Sequence, residues 1–219
     1  MRAVLGRYQA NYAVPGLPWA RTRLATLIRQ CETCEDTARL LGLEGTAAGV
    51  YSSTFRRLNR SALPFDGRST RPPRDPVNAL LSLAYTLLTQ HTVGLIEAHG
   101  LDPQIGFYHE VHGRRPSLAL DLIEPLRHVV VDRAVLRLIN LSQVGAGDFT
   151  PVTGGCHVAR SAWPRVIDAF ESLLDSRPAP ADVPDTLQAG SWREWLRRRI
   201  ARFRQQLAVV AGADLAADD

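Results

Sequence analysis

The sequence predicts an all-α, multi-helix domain built around a buried central helix, and three observations lead to it. Apolar residues recur at helical spacing over residues 19–31 and 35–58. A long apolar segment at 76–99 is bounded by residues that start and stop helices. Residues 117–144 are apolar almost all round, which is typical of a buried helix. With 219 residues, of which 45% are apolar and 22% charged, the chain can bury a substantial core.

The first third of the chain predicts two helices. Residues 19–31 place leucines and an isoleucine on one face, and 35–58 continue the pattern. The break at Gly42 and Gly45 is tolerated because the neighbouring small residues suit close helix packing. Residues 59–73 are rich in arginine, proline and serine, and they predict an exposed, mobile loop.

The middle of the chain predicts the central helices. Asp75 would cap the long apolar helix, Pro76 would occupy its first position, and Gly100 would end it. The central segment that follows contains Pro125, which lacks an amide N–H. This proline should kink the helix or restart it there.

The last third contains a change of pattern. Residues 148–158 could form a short β-hairpin around Gly154 and Gly155. Helices are expected at about 160–175 and 190–208, because their apolar residues again recur at helical spacing.

The predicted domain organisation has three parts. Residues 1–23 are expected to be a remnant linker or partial N-terminal element, 24–210 a helical domain, and 211–219 a disordered acidic tail. The proline-rich segment 176–184 should be an exposed linker inside the helical domain.

The basic residues are all arginine. The chain has 26 arginines, no lysine and a net charge of +4. A planar guanidinium that grips phosphate oxygens in pairs suits nucleic acid. A GC-rich genome, which favours arginine codons, explains the same composition.

The cysteines and the apolar runs indicate the compartment. Cys31 and Cys34 form a lone CxxC, which could hold a structural zinc but fits two reduced cysteines on a helix or its end. Cys156 follows two glycines and predicts a packed small residue. Three cysteines argue against a disulfide framework.

We find no apolar run of membrane-spanning length and no signal-peptide core, and we therefore expect a cytoplasmic protein without a membrane partner.

The segment from Gly106 onward carries the residues that could perform chemistry. His109 lies in a polar loop, and Asp121 and Glu124 follow inside an apolar run. Buried carboxylates are costly unless they are paired or bind a cation, and on a helix these two would share a face. An imidazole beside two carboxylates is the outline of a divalent-metal site. Arg114 and Arg115 next to it indicate a phosphate-bearing substrate.

A third acid and several alternatives accompany this outline. Glu44 lies among small and apolar residues, and oxygen ligands with one imidazole suit Mg²⁺ or Mn²⁺ better than zinc. His109 could equally be a hydrogen-bonded structural histidine. Glu124 could sit in the first turn of a new helix, where the dipole favours it. Glu44 and Asp121 could each pair with an arginine.

The last helix is basic. Arg197, Arg198 and Arg202 lie in one helical stripe, opposite an apolar stripe that includes Phe203. This stripe could contact DNA phosphates, and the alternative is a solvated face.

Three segments, in this order, resemble one known family. They are LLGLEGTAAGVY, DPVNALLSLAYTLL and GLDPQIGFYHEVHGRRPSLALDLIEPLR. Together they resemble the CRISPR-associated spacer-acquisition integrase and endonuclease family. The similarity extends from about Leu24 to Leu207 and corresponds to the helical catalytic domain of that family.

The resemblance implies a function and a set of site residues. Glu44, His109 and Glu124 fall on the three metal-ligand positions, for Mg²⁺ or Mn²⁺, and Asp121 on a supporting acidic position. The family joins 3′-hydroxyl ends of foreign DNA fragments to CRISPR repeat DNA by transesterification, as antiviral spacer acquisition. Its substrates are double-stranded and branched DNA. It works as a homodimer with a small ferredoxin-like partner.

The sequence departs from the family in two places. The family's N-terminal β-sandwich domain has no room before Leu24, so the chain could be a fragment, part of a fusion or a degenerate copy. Pro125 stands where the family has an acidic residue. Two other functions stay open: a non-catalytic DNA-binding or scaffold remnant of the same fold, and an unrelated helical protein with a salt-bridge cluster.

Overall fold

The computed structural model describes residues 1–108, 115–178, 190–210 and 212. Within them the fold is all-α with one two-stranded antiparallel hairpin, as predicted. The helices are α1 (Arg2–Asn11), α2 (Leu17–Glu32), α3 (Thr37–Leu58), α4 (Pro76–Ala98), α5 (Ser117–Leu126), α6 (Arg133–Asn140), α7 (Trp163–Leu174) and α8 (Trp192–Val210).

The chain divides into two compact units. The first unit comprises Met1–Leu83 and Asp132–Ala169, and the second comprises Ala84–Val131 and Phe170–Asp219. Each unit is built from two stretches of sequence that are far apart along the chain. The predicted domain boundaries, at residues 23/24 and 210/211, stay a prediction.

The first unit begins with a helix that the sequence pattern did not reveal. Helix α1 has an interrupted apolar pattern, but Val4 and Leu5 are buried, with 1% and 0% exposure. Helix α2 buries Leu17, Ala20, Leu24 and Leu27, whose spacing of three and four residues forms one apolar stripe. It covers the helix predicted at 19–31. The division expected at residue 24 therefore falls inside a helix.

Helix α3 is continuous through its glycines. Asp36 caps it, because its carboxylate accepts hydrogen bonds from the amides of Ala38 and Arg39 at 3.1 and 3.2 Å. A Cβ added at Gly42 or Gly45 would meet nothing within 4 Å. The helix runs through both glycines, as expected, and they leave its surface open.

The loop between α3 and α4 is irregular, as predicted, but it is not wholly exposed. Leu63 and Phe65 are buried, and the Phe65 ring packs edge-on against Phe55 with centroids 5.3 Å apart. The buried side chain of Asn78 donates to the carbonyl of Gly67 at 2.8 Å. The loop is held in place because its apolar residues reach the core. The mainly polar composition of the loop does not reveal these few buried residues.

Helix α4 has the predicted ends. Asp75 accepts the amide of Asn78 at 2.8 Å, Pro76 occupies the first position, and Gly100 has a φ of 71°. By length and composition α4 could cross a bilayer, so the expectation that no run reaches that length is wrong. One such helix is weak evidence, since the core helix of a soluble protein passes the same test.

The central helix continues past Pro125 with a changed hydrogen-bond pattern. Helix α5 passes into a π-helical segment, Arg127–Asp132, and then into α6. A proline interrupts the ladder of backbone bonds, and a π-helical turn is one way for the helix to absorb the interruption. Of the two outcomes expected at Pro125, a kink or a restart, the helix shows no restart there, and the alternative that Glu124 is a first-turn residue is excluded. Seven of the ten α5 residues are buried: Ser117, Leu118, Ala119, Asp121, Leu122, Ile123 and Leu126.

The hairpin confirms the prediction for residues 148–158. Strands β1 (Phe149–Val152) and β2 (Gly155–Val158) pair antiparallel. Gly154 adopts a φ of 79° in the turn, and the Cys156 amide donates to the Pro73 carbonyl at 2.9 Å. The predicted last two helices correspond to α7 and α8. Most of the proline-rich linker and nearly all of the acidic tail lie outside the described residues.

Candidate metal and nucleic-acid site

The predicted ligands are distributed over the chain. Glu44 belongs to α3 in the first unit, and Asp121 and Glu124 belong to α5 in the second. His109 and Arg114 lie outside the described residues. Convergence of Glu44, His109 and Glu124 on one cation therefore stays a prediction.

Asp121 is buried and accepts hydrogen bonds from the backbone. The residue as a whole is only 4% exposed. Its Oδ2 accepts the amides of Phe107 at 2.7 Å and Tyr108 at 3.0 Å. Bonds from N–H groups to a charged carboxylate are among the stronger hydrogen bonds in proteins, and they offset the cost of burying the charge. Asp121 thus anchors the chain at Tyr108, the residue directly before His109.

Gly106 makes this close approach possible. A Cβ added at Gly106 would lie 2.8 Å from Oδ2 of Asp121, 2.8 Å from Cβ of Ser117 and 2.9 Å from the Ser117 carbonyl carbon. The Leu118 amide also donates to the Pro103 carbonyl at 2.9 Å, which ties the same loop to the start of α5. The sequence marked Gly106 only as part of a polar loop. A glycine fifteen residues before an acid carries no signal for such a contact.

Glu124 lies one helical turn after Asp121 in a more open setting. Its Oε1 accepts Nη1 of Arg127 at 2.6 Å, with the two side chains 33% and 38% exposed, respectively. The guanidinium carbon of Arg127 lies 5.1 Å from the centroid of the Tyr85 ring. Burial alone would lower the pKa of Arg127, but Tyr85 and Glu124 together raise it. A partly exposed pair of this kind contributes about 0–1 kcal/mol, so a divalent cation can compete for the carboxylate.

Glu44 stands on an exposed part of α3. It lies between Gly42 and Gly45, with Thr46 beside them, and all four residues are exposed. The acid that the sequence places among small and apolar residues is therefore solvent-exposed, and its small neighbours leave the helix surface accessible. Chemically, two carboxylates and one imidazole form a donor set that fits Mg²⁺ or Mn²⁺.

The described part of the chain contains no group of three or more His, Cys, Asp or Glu side chains that could hold a metal ion. His109 lies outside this part of the chain. Cys31 and Cys34 are free thiols of intermediate exposure, at and just after the end of α2. They fit the prediction of two reduced cysteines, and the zinc alternative gains no support from the described residues.

The arginines predicted to contact DNA are exposed where they are described. Arg115 precedes α5, and Arg197, Arg198 and Arg202 lie on the outer side of α8. The opposite side of α8 is buried and includes Ile200. The stripe predicted from the sequence therefore has a solvated polar face in this chain.

A groove beside the Gly106–Tyr108 loop was not predicted. It has a volume of about 340 Å³. The exposed ring of Phe107 packs against Phe203, with centroids 5.5 Å apart. Arg199 lies over Trp195, its Nε has no hydrogen-bond partner, and burial lowers the pKa of its guanidinium. The groove is lined by Phe107, Leu122, Arg199, Arg202, Phe203 and Gln206.

Arg193 differs from the other arginines of α8. It donates to Glu171, to Asp175 at 2.6 Å and, at 3.4 Å, to Nε2 of His91, for which the sequence offered no partner. The hydrogen bond from Arg193 lowers the pKa of Asp175. Burial, followed by the charge of Arg193, lowers the pKa of His91. Arg193 therefore stabilises the second unit and leaves few donors for DNA.

The chain resembles proteins of one family in sequence. The family model described as CRISPR associated protein Cas1 matches residues 1–172. An endonuclease Cas1 from Thermus thermophilus is 43% identical over 159 residues, which cover 73% of this chain and 47% of that protein. An endonuclease Cas1 from Chlorobaculum tepidum is 42% identical over 184 residues, covering 82% and 54%. An exonuclease Cas4/endonuclease Cas1 fusion from Rhodospirillum rubrum is 46% identical over 162 residues, covering 71% and 28%.

Solved structures share the fold. A CAS1 protein from Thermotoga maritima superposes with a TM-score of 0.71 at 24% identity, covering all of this chain and 67% of that one. A casposase bound to its integration product gives 0.73 at 23% identity, covering 96% and 60%. The chain spans about half or less of the length of the curated relatives it matches. The match over residues 1–172 and the identities above 40% show that this chain belongs to the CRISPR associated protein Cas1 family.

Proposed function

We propose that this chain is the helical catalytic part of a divalent-metal-dependent DNA endonuclease and integrase that joins 3′-hydroxyl ends of foreign DNA to CRISPR repeat DNA. One observation carries the proposal. Buried Asp121 holds the backbone directly before His109, while Glu124, one turn further on α5, presents a carboxylate that is 33% exposed. Helix α5 thus combines a structural acid, which holds the backbone up to Tyr108, with an accessible acid one turn later.

The roles of the side chains follow from this arrangement. Glu44, His109 and Glu124 would bind Mg²⁺ or Mn²⁺. The cation would neutralise charge on the phosphorane-like transition state and lower the pKa of the attacking hydroxyl. Glu124 would exchange Arg127 for the cation. Asp121 would act as a positioning residue that orients the loop leading into His109, as outer partners of metal ligands commonly do.

The substrate and the partners are part of the same proposal. Double-stranded and branched DNA would contact Arg114, Arg115, Arg197, Arg198 and Arg202 through phosphates, without reading sequence. A homodimer in the cytoplasm, with a small ferredoxin-like partner, is the proposed assembly. The support comes from the family and from two solved structures. One is the casposase bound to its integration product, and the other is a partial Cas6-RT-Cas1–Cas2 complex, which superposes with a TM-score of 0.78 at 23% identity.

The test is Mn²⁺-dependent cleavage and joining of branched DNA by the 219-residue chain. Glu44→Ala, His109→Ala and Glu124→Gln should each lower the rate by about 100-fold or more, since losing even an outer partner of a ligand costs 10–100-fold. Glu97→Gln is the matched control, because Glu97 is an exposed glutamate of α4 in the second unit. Full activity in any of the three ligand variants would contradict the proposed site.

A second candidate function is a DNA-binding scaffold without catalysis. The observation that favours it is the exposed stripe of Arg197, Arg198 and Arg202 on α8, which could bind phosphates without a metal. DNA binding of equal strength with and without Mn²⁺, with no cleavage or joining under any condition, would favour the scaffold over the enzyme.

A further inference from the structure

The first unit contains a groove whose described lining includes none of the predicted metal ligands. It lies between the α1–α2 turn and the C-terminal end of α3, and its volume is about 690 Å³. Pockets of 300–1,000 Å³ are the usual size for small ligands and nucleotides. Of the described residues that line the groove, two are arginines and none is acidic. They are Asn11, Tyr12, Ala13, Val14, Pro15, Arg57 and Arg60.

The groove presents a positively charged surface that includes an aromatic ring. The guanidinium carbon of Arg60 lies 3.9 Å from the centroid of the Tyr12 ring, which is cation–π distance. Tyr12 is nevertheless 41% exposed, and Arg60 is also exposed. An exposed aromatic ring stacked with a guanidinium offers a π surface next to donors for an anion.

Hydrogen bonds within the first unit hold this surface in place. The side chain of Asn140 accepts the Arg60 amide at 2.7 Å. Its Nδ2 donates to the Leu58 carbonyl at 2.9 Å and to the Tyr8 hydroxyl at 3.1 Å. On the other side of the groove, Arg57 donates to the Pro15 carbonyl at 2.8 Å. The stacked pair is therefore organised before any ligand arrives, which reduces the entropy lost on binding.

We propose that this groove binds an unpaired nucleotide of DNA, with the base stacked on Tyr12 and Arg60 and the phosphate held by Arg57 and Arg60. A base exposes its π face only when it is unpaired and unstacked, so the site should prefer single-stranded over duplex DNA. The absence of acids among the described lining residues suits a polyanion. The choice of DNA as the polyanion rests on the proposed function, whereas the site is independent of the metal ligands.

The experiment measures DNA binding by the full chain in EDTA, where no metal-dependent reaction interferes. Fluorescence anisotropy compares a labelled single-stranded oligonucleotide with its duplex. Tyr12→Ala should weaken single-strand binding about fivefold or more and leave duplex binding within about twofold, while Tyr12→Phe keeps wild-type affinity. Arg60→Ala should also weaken it and reduce the salt dependence. Arg160→Ala, which removes an exposed arginine of the same unit, is the charge-matched control.

Three results would overturn the inference. They are unchanged single-strand affinity in Tyr12→Ala, equal loss for single strand and duplex, and equal loss in Arg160→Ala. If Tyr12→Ala does not fold, photocrosslinking of wild type to a 5-iododeoxyuridine oligonucleotide decides: an adduct on Tyr12 supports the site, and adducts only elsewhere refute it. Loss of Mn²⁺-dependent cleavage leaves these outcomes unaffected, so failure of the proposed function and failure of the groove are distinguishable.

Discussion

Helices α3 and α5 both carry acids predicted to act in catalysis, but their settings differ. On α5, Asp121 is buried and bonded to two backbone amides, and Glu124 is paired with Arg127. On α3, Glu44 stands on an exposed stretch with glycines on both sides. Asp121 is integrated into the packing of its unit and Glu124 is partly exposed in an ion pair, whereas Glu44 lies on the surface of its unit.

This difference separates structural from chemical roles. A buried acid with backbone partners contributes to stability, and its removal should unfold or loosen the unit. An exposed acid contributes little to stability, so any loss of activity on its removal reports on function. We therefore expect removal of Asp121 on α5 to lower stability, and removal of Glu44 on α3 to lower activity while leaving stability nearly unchanged.

The largest expected effect is on stability at Asp121. Asp121→Ala leaves the amides of Phe107 and Tyr108 without this acceptor and should lower the free energy of unfolding by about 2–4 kcal/mol. Glu44→Ala should change it by less than about 0.5 kcal/mol. Urea denaturation of both variants measures the difference. Equal stability of the two variants would break the comparison.

Replacing a glycine with alanine should lower stability at Gly106, beside α5, and raise it at Gly45, on α3. Gly106→Ala introduces a Cβ 2.8 Å from Oδ2 of Asp121 and 2.9 Å from Ser117 backbone, and should destabilise by roughly 1–3 kcal/mol. Gly45→Ala meets nothing within 4 Å and should stabilise α3 by about 1 kcal/mol. Thermal unfolding measures both. A destabilised Gly45→Ala variant would mean that α3 is packed against something in solution.

The ion pair on α5 should limit metal affinity. Arg127→Gln removes the charge that competes for Glu124, and a partly exposed pair is worth about 0–1 kcal/mol. The apparent affinity for Mn²⁺ should therefore increase by up to about fivefold. Isothermal titration calorimetry measures it. A weaker affinity in this variant would show that Arg127 supports the site.

The smallest effect concerns pH. Burial lowers the folded-state pKa of His91 below its ordinary value of 6.5. The folded unit favours the neutral form of His91. The contribution of His91 to the free energy of unfolding is therefore fully present above pH 6.5 and is lost as the pH falls through the lowered pKa. His91→Gln should remove this dependence from melts recorded between pH 7 and 5. Asp175, whose pKa Arg193 lowers, adds a loss only below about pH 4. A His91→Gln variant with the wild-type pH profile would contradict this assignment.

The sequence predicted the helices well where an apolar stripe was long. Helices α2 to α4 and the hairpin follow from spacing, caps and turn glycines. Helix α1 was missed because Val4 and Leu5 alone mark its buried side. The π-helical segment after Pro125 was missed because a proline predicts a disturbance without its form.

The candidate site was predictable only in part. Two acids three residues apart on a helix indicate a shared face, but the pattern does not say which of them is buried. The contact of Asp121 with the backbone of Phe107 joins residues fourteen positions apart through a loop, and no periodicity reports it. The stacked pair of Tyr12 and Arg60 is equally non-local.

The central claim is that Glu44, His109 and Glu124 share one cation, and Mn²⁺ binding followed by electron paramagnetic resonance tests it without relying on activity. We expect one saturable site in the wild-type chain and its loss in Glu44→Gln, His109→Ala and Glu124→Gln, with folding checked by circular dichroism. Glu97→Gln should bind as wild type does. Wild-type Mn²⁺ binding in a folded Glu44→Gln variant would contradict the claim.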